Sequence, residues 1–183
     1  MRILAIYRHY WPDITPYART LRTIAEDLVS HGHAATVFTA QPSYNDVRLP
    51  RQSRREVLGG VAVRRARLFP ERKTWMLVRT VNALLFLAQA ILHAVRKRRE
   101  YDVVLFNVHP PVLMGLAARV IKRVTGLPYV AHVQDIHPDA ARLAGGFGSD
   151  FVFDRLRGID TRSGRRAALN VVLSDDMRAT LED

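Results

Sequence analysis

The chain has 183 residues, enough for one domain with its own core and too few for two ordinary ones. Apolar residues make up 48% and charged residues 25%, which predicts a packed globular fold and excludes a disordered chain. Lys and Arg total 28 against 17 Asp and Glu, a net charge of +11 that suits anionic partners or a solvated arginine-rich surface, and the absence of cysteine excludes disulfides, thiolate zinc sites and cysteine nucleophiles.

The first apolar run, Arg2 to Tyr7, reads as a strand and is too short for a secretory signal, so a cytoplasmic location is expected. Leu21, Ile24, Ala25 and Leu28 then recur at helical spacing, and Gly32 stands where a helix end takes a left-handed residue. Ala34 to Ala40 is a second strand. Strand, helix and strand together imply a parallel pair with a right-handed crossover. Gln41 to Gly60 is turn-rich and basic and reads as a loop. Val61 to Phe69 reads as a third strand near a sheet edge, followed by a long helix from about Trp75 to Arg99. The greasy part of that helix, Val81 to Val95, is interrupted by Asn82, Gln89 and His93 and falls short of the ~20 residues of a spanning helix. A buried helix is expected, with in-plane contact to an anionic surface open because Arg96-Lys97-Arg98-Arg99 follows.

Tyr101 to Asn107 reads as a strand buried on both faces, and the helix after it has Pro110 and Pro111 before it and Gly126 at its end. Pro128 to Val133 is the next strand. Residues 150–167 carry a weaker helical pattern, and Leu169 to Ser174 is a last strand. Ser174 is a good N-cap for a helix with Asp175 and Asp176 in its first turn. Six strands alternating with helices predict a doubly wound, mostly parallel Rossmann-like α/β sheet, whose ligand crevice lies beyond the carboxyl ends of its strands.

The segments after those strands therefore carry the candidate chemistry. The loop after strand one, Arg8 to Thr15, contains no glycine, so neither a dinucleotide fingerprint nor a phosphate-binding P-loop is present. Asp13 and Thr15 are candidates for substrate contact or for capping the next helix. Asn107 and His109 follow strand four. Past strand five come Gln134, Asp135, His137 and Asp139, a histidine among carboxylates of the kind that moves protons. No helical pair of histidines supports a metal site there.

Five stretches, taken in order, carry a family resemblance: HYWPDITPYARTLRTIAEDLVSHGHAATVFTAQPSY, GVAVRRARLFP, YDVVLFNVHPP, PYVAHVQDIHPDAARLAG and NVVLSDDMRATL. Together they resemble the N-terminal domain of family 4 glycosyltransferases, in particular the bacterial branch that builds capsule, colanic-acid-type and O-antigen polysaccharides. The resemblance covers residues 1–183 as a single Rossmann-like domain and implies one half of a GT-B fold, in which the N-terminal domain binds the acceptor. It implies that the C-terminal, nucleotide-sugar-binding domain is not contained in these residues, and that this chain by itself is an inactive part of a longer enzyme. It further implies retaining hexosyl or N-acetylhexosaminyl transfer, a nucleotide-sugar as co-substrate, no metal or other cofactor, and a glycan or lipid-linked acceptor. A peripheral contact with an anionic membrane is expected alongside, and nucleic acid is not an expected partner. On this pattern Asp135 is the candidate catalytic residue, and Asp13, Thr15, Tyr17, Asn107, His109, Gln134 and His137 are candidate substrate-binding residues. Two positions depart from the family. Ile14-Thr15-Pro16 stand where relatives have a glycine pair near the donor phosphates, and Gln134 stands where many have histidine, which suits orientation of sugar hydroxyls rather than proton relay. The reading from another class is a stand-alone nucleotide-binding or regulatory module; it lacks the phosphate fingerprints such modules use.

Overall fold

A computed structural model describes residues 1–42, 50–70, 75–107, 112–134 and 150–182. The chain divides into two compact units, Met1–Val103 and Val104–Asp183.

In the first unit β1 (Arg2–Ile6) leads through α1 (Pro16–Ser30) to β2 (Ala34–Thr39), which pairs with β1 in parallel from Arg2↔Ala34 to Ile6↔Phe38. This is the strand–helix–strand unit expected from the sequence. The hairpin β3 (Arg55–Leu58) and β4 (Val61–Arg65) follows, with β4 parallel to β2 and β3 antiparallel to β4. The strand order here is β3-β4-β2-β1. Two expectations are corrected. Residues 55–58 are a strand rather than part of a loop, and they occupy the edge expected for Val61 to Phe69. The reason lies at Gly59 and Gly60, with φ of 55° and 80°. Two successive left-handed residues make the primed turn whose twist matches a two-residue hairpin. A Cβ at Gly59 would also press on the Glu26 side chain of α1, which is long enough to shift aside, so the positive φ is what calls for glycine there.

The inner residues of these strands are among the most buried in the chain: Leu4, Val37, Val61 and Val63 are fully enclosed. Each contributes roughly 1.5–3 kcal/mol by leaving water. Helix α1 buries Tyr17, Ala18, Leu21 and Ala25; of the stripe read from the sequence, Leu21 and Ala25 are buried and Ile24 and Leu28 half-buried. It ends at Gly32, whose φ of 81° is left-handed as expected.

Helix α2 (Met76–Arg96) buries Asn82, Phe86, Leu87, Ala90 and Ala94. Its seat is set by two side-chain amides. Phe69 N donates to Asn82 Oδ1 at 3.0 Å while Asn82 Nδ2 donates to Phe69 O at 2.9 Å. Gln89 repeats the device on Arg67, with Arg67 N donating at 3.0 Å and Gln89 Nε2 returning to Arg67 O at 2.8 Å. The polar interruptions in the greasy segment are thus the groups that tie α2 to the chain leaving β4. Phe38 supplies the apolar contact, 5.8 Å from the Phe86 ring and 5.0 Å from His93. A short 3-10 turn, Arg98–Glu100, closes the segment.

In the second unit β5 (Val103–Asn107) pairs with β6 (Tyr129–His132) in parallel, and β6 pairs in parallel with β7 (Leu169–Val171). Helix α3 (Leu113–Thr125) connects β5 to β6 and ends at Gly126, left-handed at φ 78°. Helix α4 (Asp150–Arg165) packs against α3 where Gly115 meets Ser163. The Tyr129 hydroxyl donates to Ser163 O at 2.7 Å and ties β6 to the same point. Ser174 caps α5 (Asp175–Glu182), accepting from Met177 N at 3.3 Å, as its position predicts. The described residues carry seven strands rather than six, and within each unit every pairing is parallel except that of β3 with β4. The fold is mostly parallel, Rossmann-like α/β, in agreement with the sequence.

Candidate functional site

The carboxyl ends of β1, β2 and β4 fall together because these strands are parallel and in register. The segment after β1 is held there by backbone and buried side chains. Ala40 N and Thr39 Oγ1 both donate to Arg8 O, at 2.9 and 3.0 Å. Arg65, the last residue of β4, buries its guanidinium completely. It donates to Trp11 O at 2.8 Å, to Ala40 O at 3.2 Å and to the Glu56 carboxylate. One arginine thus ties the β1 loop, the end of β2 and the hairpin strand β3. Its planar fork of donors suits that task where a lysine point charge would not.

Within the loop His9 Nδ1 lies 2.9 Å from Asp13 Oδ2, and Asp13 N donates to Tyr10 O at 2.9 Å. Asp13 is 4% exposed. Thr15 accepts from Ala18 N at 3.1 Å and is the N-cap of α1, followed by Pro16 at the first helical position. Tyr17 is buried edge-on to Tyr7, ring centres 4.6 Å apart. All three candidates are buried beyond the first strand: Asp13 and Tyr17 are linked through the His9 and Tyr7 rings, whose centres lie 5.9 Å apart, while Thr15 caps α1. The solvent side of the loop is apolar: Trp11 and Ile14 are exposed, and the Arg22 guanidinium lies 4.7 Å from the Trp11 ring centre. The Tyr10 ring is buried, its hydroxyl has no hydrogen-bond partner among the described residues, and burial pushes its pKa up to about 12.

In the second unit the pairing Asn107↔His132 sets the ends of β5 and β6 side by side. Asn107 is 2% exposed, and its Nδ2 donates to Gln134 Oε1 at 3.2 Å. Gln134 is half-buried at the start of the segment beyond β6. His132 is inside the strand, as its place in the sequence implies, and burial lowers its pKa, so it is neutral at pH 7. The structure thus joins two of the candidates, Asn107 and Gln134, through their amides. His109, Asp135 and His137 lie outside the described residues. Among the described residues no group of three His, Asp or Glu side chains is placed to hold a metal ion. Sequence reasoning missed Arg65 and His9. The signal for Arg65 was an arginine closing an apolar alternation at the end of a parallel strand.

In the first unit the part-buried His9–Asp13 pair and the capped start of α1, and in the second unit the Asn107–Gln134 amide pair, each offer hydrogen-bonding groups of the kind that hold a polar ligand. A family model for the glycosyl transferase 4-like domain matches residues 17–183, and the chain belongs to that family. It is also 25% identical over 146 residues to WcaI of Escherichia coli strain K12, a protein whose name assigns it to colanic acid biosynthesis as a glycosyl transferase. That match covers 76% of this chain and 35% of the relative, so the chain spans about a third of the length of the curated relative it matches.

Proposed function

We propose that the chain is the acceptor-binding domain of a retaining glycosyltransferase, which moves a sugar from a nucleotide-sugar to a glycan or lipid-linked acceptor during cell-surface polysaccharide synthesis in the cytoplasm. The observation that carries this reading is the family match over residues 17–183 on a Rossmann-like fold. The Asn107–Gln134 amide pair at the ends of parallel strands supports it, because amides both donate to and accept from sugar hydroxyls. The donor is held by a second domain, and this chain alone does not turn over. Asp135 acts at the reacting centre; Gln134, His137, His109 and Asn107 orient the acceptor, and Asp13, Thr15 and Tyr17 shape the first-strand wall. In a front-face retaining transfer no enzyme nucleophile is needed, and positioning and charge stabilisation supply most of the rate. Neither a metal nor another cofactor is required.

The test is sugar transfer by the longer protein that carries the downstream domain, with a panel of nucleotide-sugars. Asp135→Asn is expected to lower kcat/KM by about 100-fold or more. Asn107→Ala is expected to raise the acceptor KM about tenfold, the loss of one buried polar contact. Transfer that neither change alters would remove both residues from the site. No transfer from any nucleotide-sugar would remove the class.

A further inference from the structure

Helix α2 presents to solvent a face that its packing does not use. Leu77, Val81, Leu84, Ala88 and Leu92 are all exposed, Leu77 at 78% and Leu84 at 52%. Their spacing of four, three, four and four residues places them on one stripe, about 22 Å long at helical rise. Trp75 and Met76 are exposed at its start. Its other end runs into Arg96, Lys97, Arg98 and Arg99, all exposed; residues 76–99 contain no acid, and Glu100 pairs with Lys97 at 2.6 Å, leaving three arginines in excess.

We propose that this face of α2 docks, lying in plane, on an anionic lipid bilayer surface. An exposed apolar stripe of this length calls for an apolar medium, and the cationic cluster that ends it calls for anions; the bilayer boundary supplies both. A second copy packed α2 to α2 answers only half of that, because its stripe offers no acid and Glu100, next to the cluster, already pairs with Lys97 at 2.6 Å. Nucleic acid answers only the cations. The helix is long and apolar enough to cross a membrane by length and composition. The opposite face excludes that use in this fold: Asn82 and Gln89 are bonded to the backbone of Phe69 and Arg67, and Phe86 is buried against Phe38. Crossing would break four hydrogen bonds to place two amides in hydrocarbon. A helix tied down on one side and apolar on the other lies on the surface. The proposal stands on α2 alone and does not depend on the transferase reading, since vesicle binding is measured without any sugar transfer.

The experiment is flotation of the 183-residue chain with vesicles of phosphatidylcholine, with and without roughly a quarter phosphatidylglycerol. Binding is expected only with the anionic lipid. Leu84→Glu is expected to weaken it about tenfold or more by placing a charge in the stripe. The double change Arg96→Gln with Arg98→Gln is expected to cost about fivefold per cation. Leu77→Ser, at the most exposed position, repeats the stripe test should Leu84→Glu alter the thermal transition. Equal binding to neutral vesicles, or binding that all three variants leave intact, overturns the proposal. So does a dimer that Leu84→Glu converts to monomer while flotation is unchanged, or salt-sensitive DNA binding that vesicles do not compete.

Discussion

His93 sits on the inner side of α2 with its ring against Phe38 and its Nε2 2.8 Å from the Tyr101 hydroxyl. Burial pushes its pKa down to about 4, and the nearby Arg64 adds to the fall while Glu100 opposes it. The unfolded chain takes up the proton near the ordinary value of about 6.5. Between those values the unfolded state binds more protons, so His93 leaves stability whole above about pH 6.5 and removes it as the pH falls toward about 4. His132, also shifted down by burial, acts with the same sign. Urea midpoints measured across this window are expected to fall with pH in the wild type and to fall less in His93→Gln. An identical slope in the two proteins would show that His93 takes up its proton equally in the folded and unfolded states, so that burial does not depress it.

Among the elements, α3 and α4 approach closest at Gly115. A Cβ there would lie 2.8 Å from Ser163 Cβ and 2.9 Å from its Oγ. Ser163 cannot swing away freely, because it is 3% exposed and its hydroxyl donates to Ile159 O at 2.9 Å. Gly115→Ala is expected to destabilise the protein by about 1–3 kcal/mol through overpacking. Ser163→Gly in the same chain is expected to recover part of that loss, giving a coupling of about 0.5–3 kcal/mol in a double-mutant cycle by urea unfolding. Additive effects would mean that the two helices do not meet there. Element positions themselves were largely legible in the sequence. The apolar runs marked β1, β2, β5, β6 and β7, and Gly32, Gly126 and Ser174 marked helix ends, because these signals depend on nearest neighbours along the chain. β3 was not legible as a strand. Arg55 and Glu56 hide its alternation, and only the Gly59-Gly60 pair announces the turn. The candidate site was legible as a set of strand-end loops. The three-way clasp of Arg65 was not, since it joins residues 54 and 25 positions apart through backbone oxygens that no side-chain pattern reveals.

At the scale of the whole molecule the net charge of +11 sets a background against which every local contact works. Like charges repel in the compact state more than in the expanded chain, and salt screens the repulsion. Thermal unfolding at pH 7 is therefore expected to move to higher temperature as NaCl rises from ~10 mM toward physiological strength, where the screening length is about 8 Å. A transition temperature that falls with salt would show that specific ion pairs, such as Arg2 with Asp102 at 2.6 Å, outweigh the general repulsion. Nearly all of that excess lies in the first unit, where 18 Lys and Arg stand against 8 Asp and Glu, while the second has 10 against 9; a net charge names no partner by itself, and a local coincidence of stripe and cluster on α2 was needed to do so.

The two amide clasps on α2 also make a reporter. Phe69 N–H and Arg67 N–H belong to no strand, yet each is bonded to a side chain that is held only while α2 is seated. Their exchange with deuterated solvent therefore times the departure of the helix from the strands beneath it, separately from unfolding of the sheet. Slow exchange at these two positions that persists on vesicles would mean that α2 meets lipid without leaving its seat.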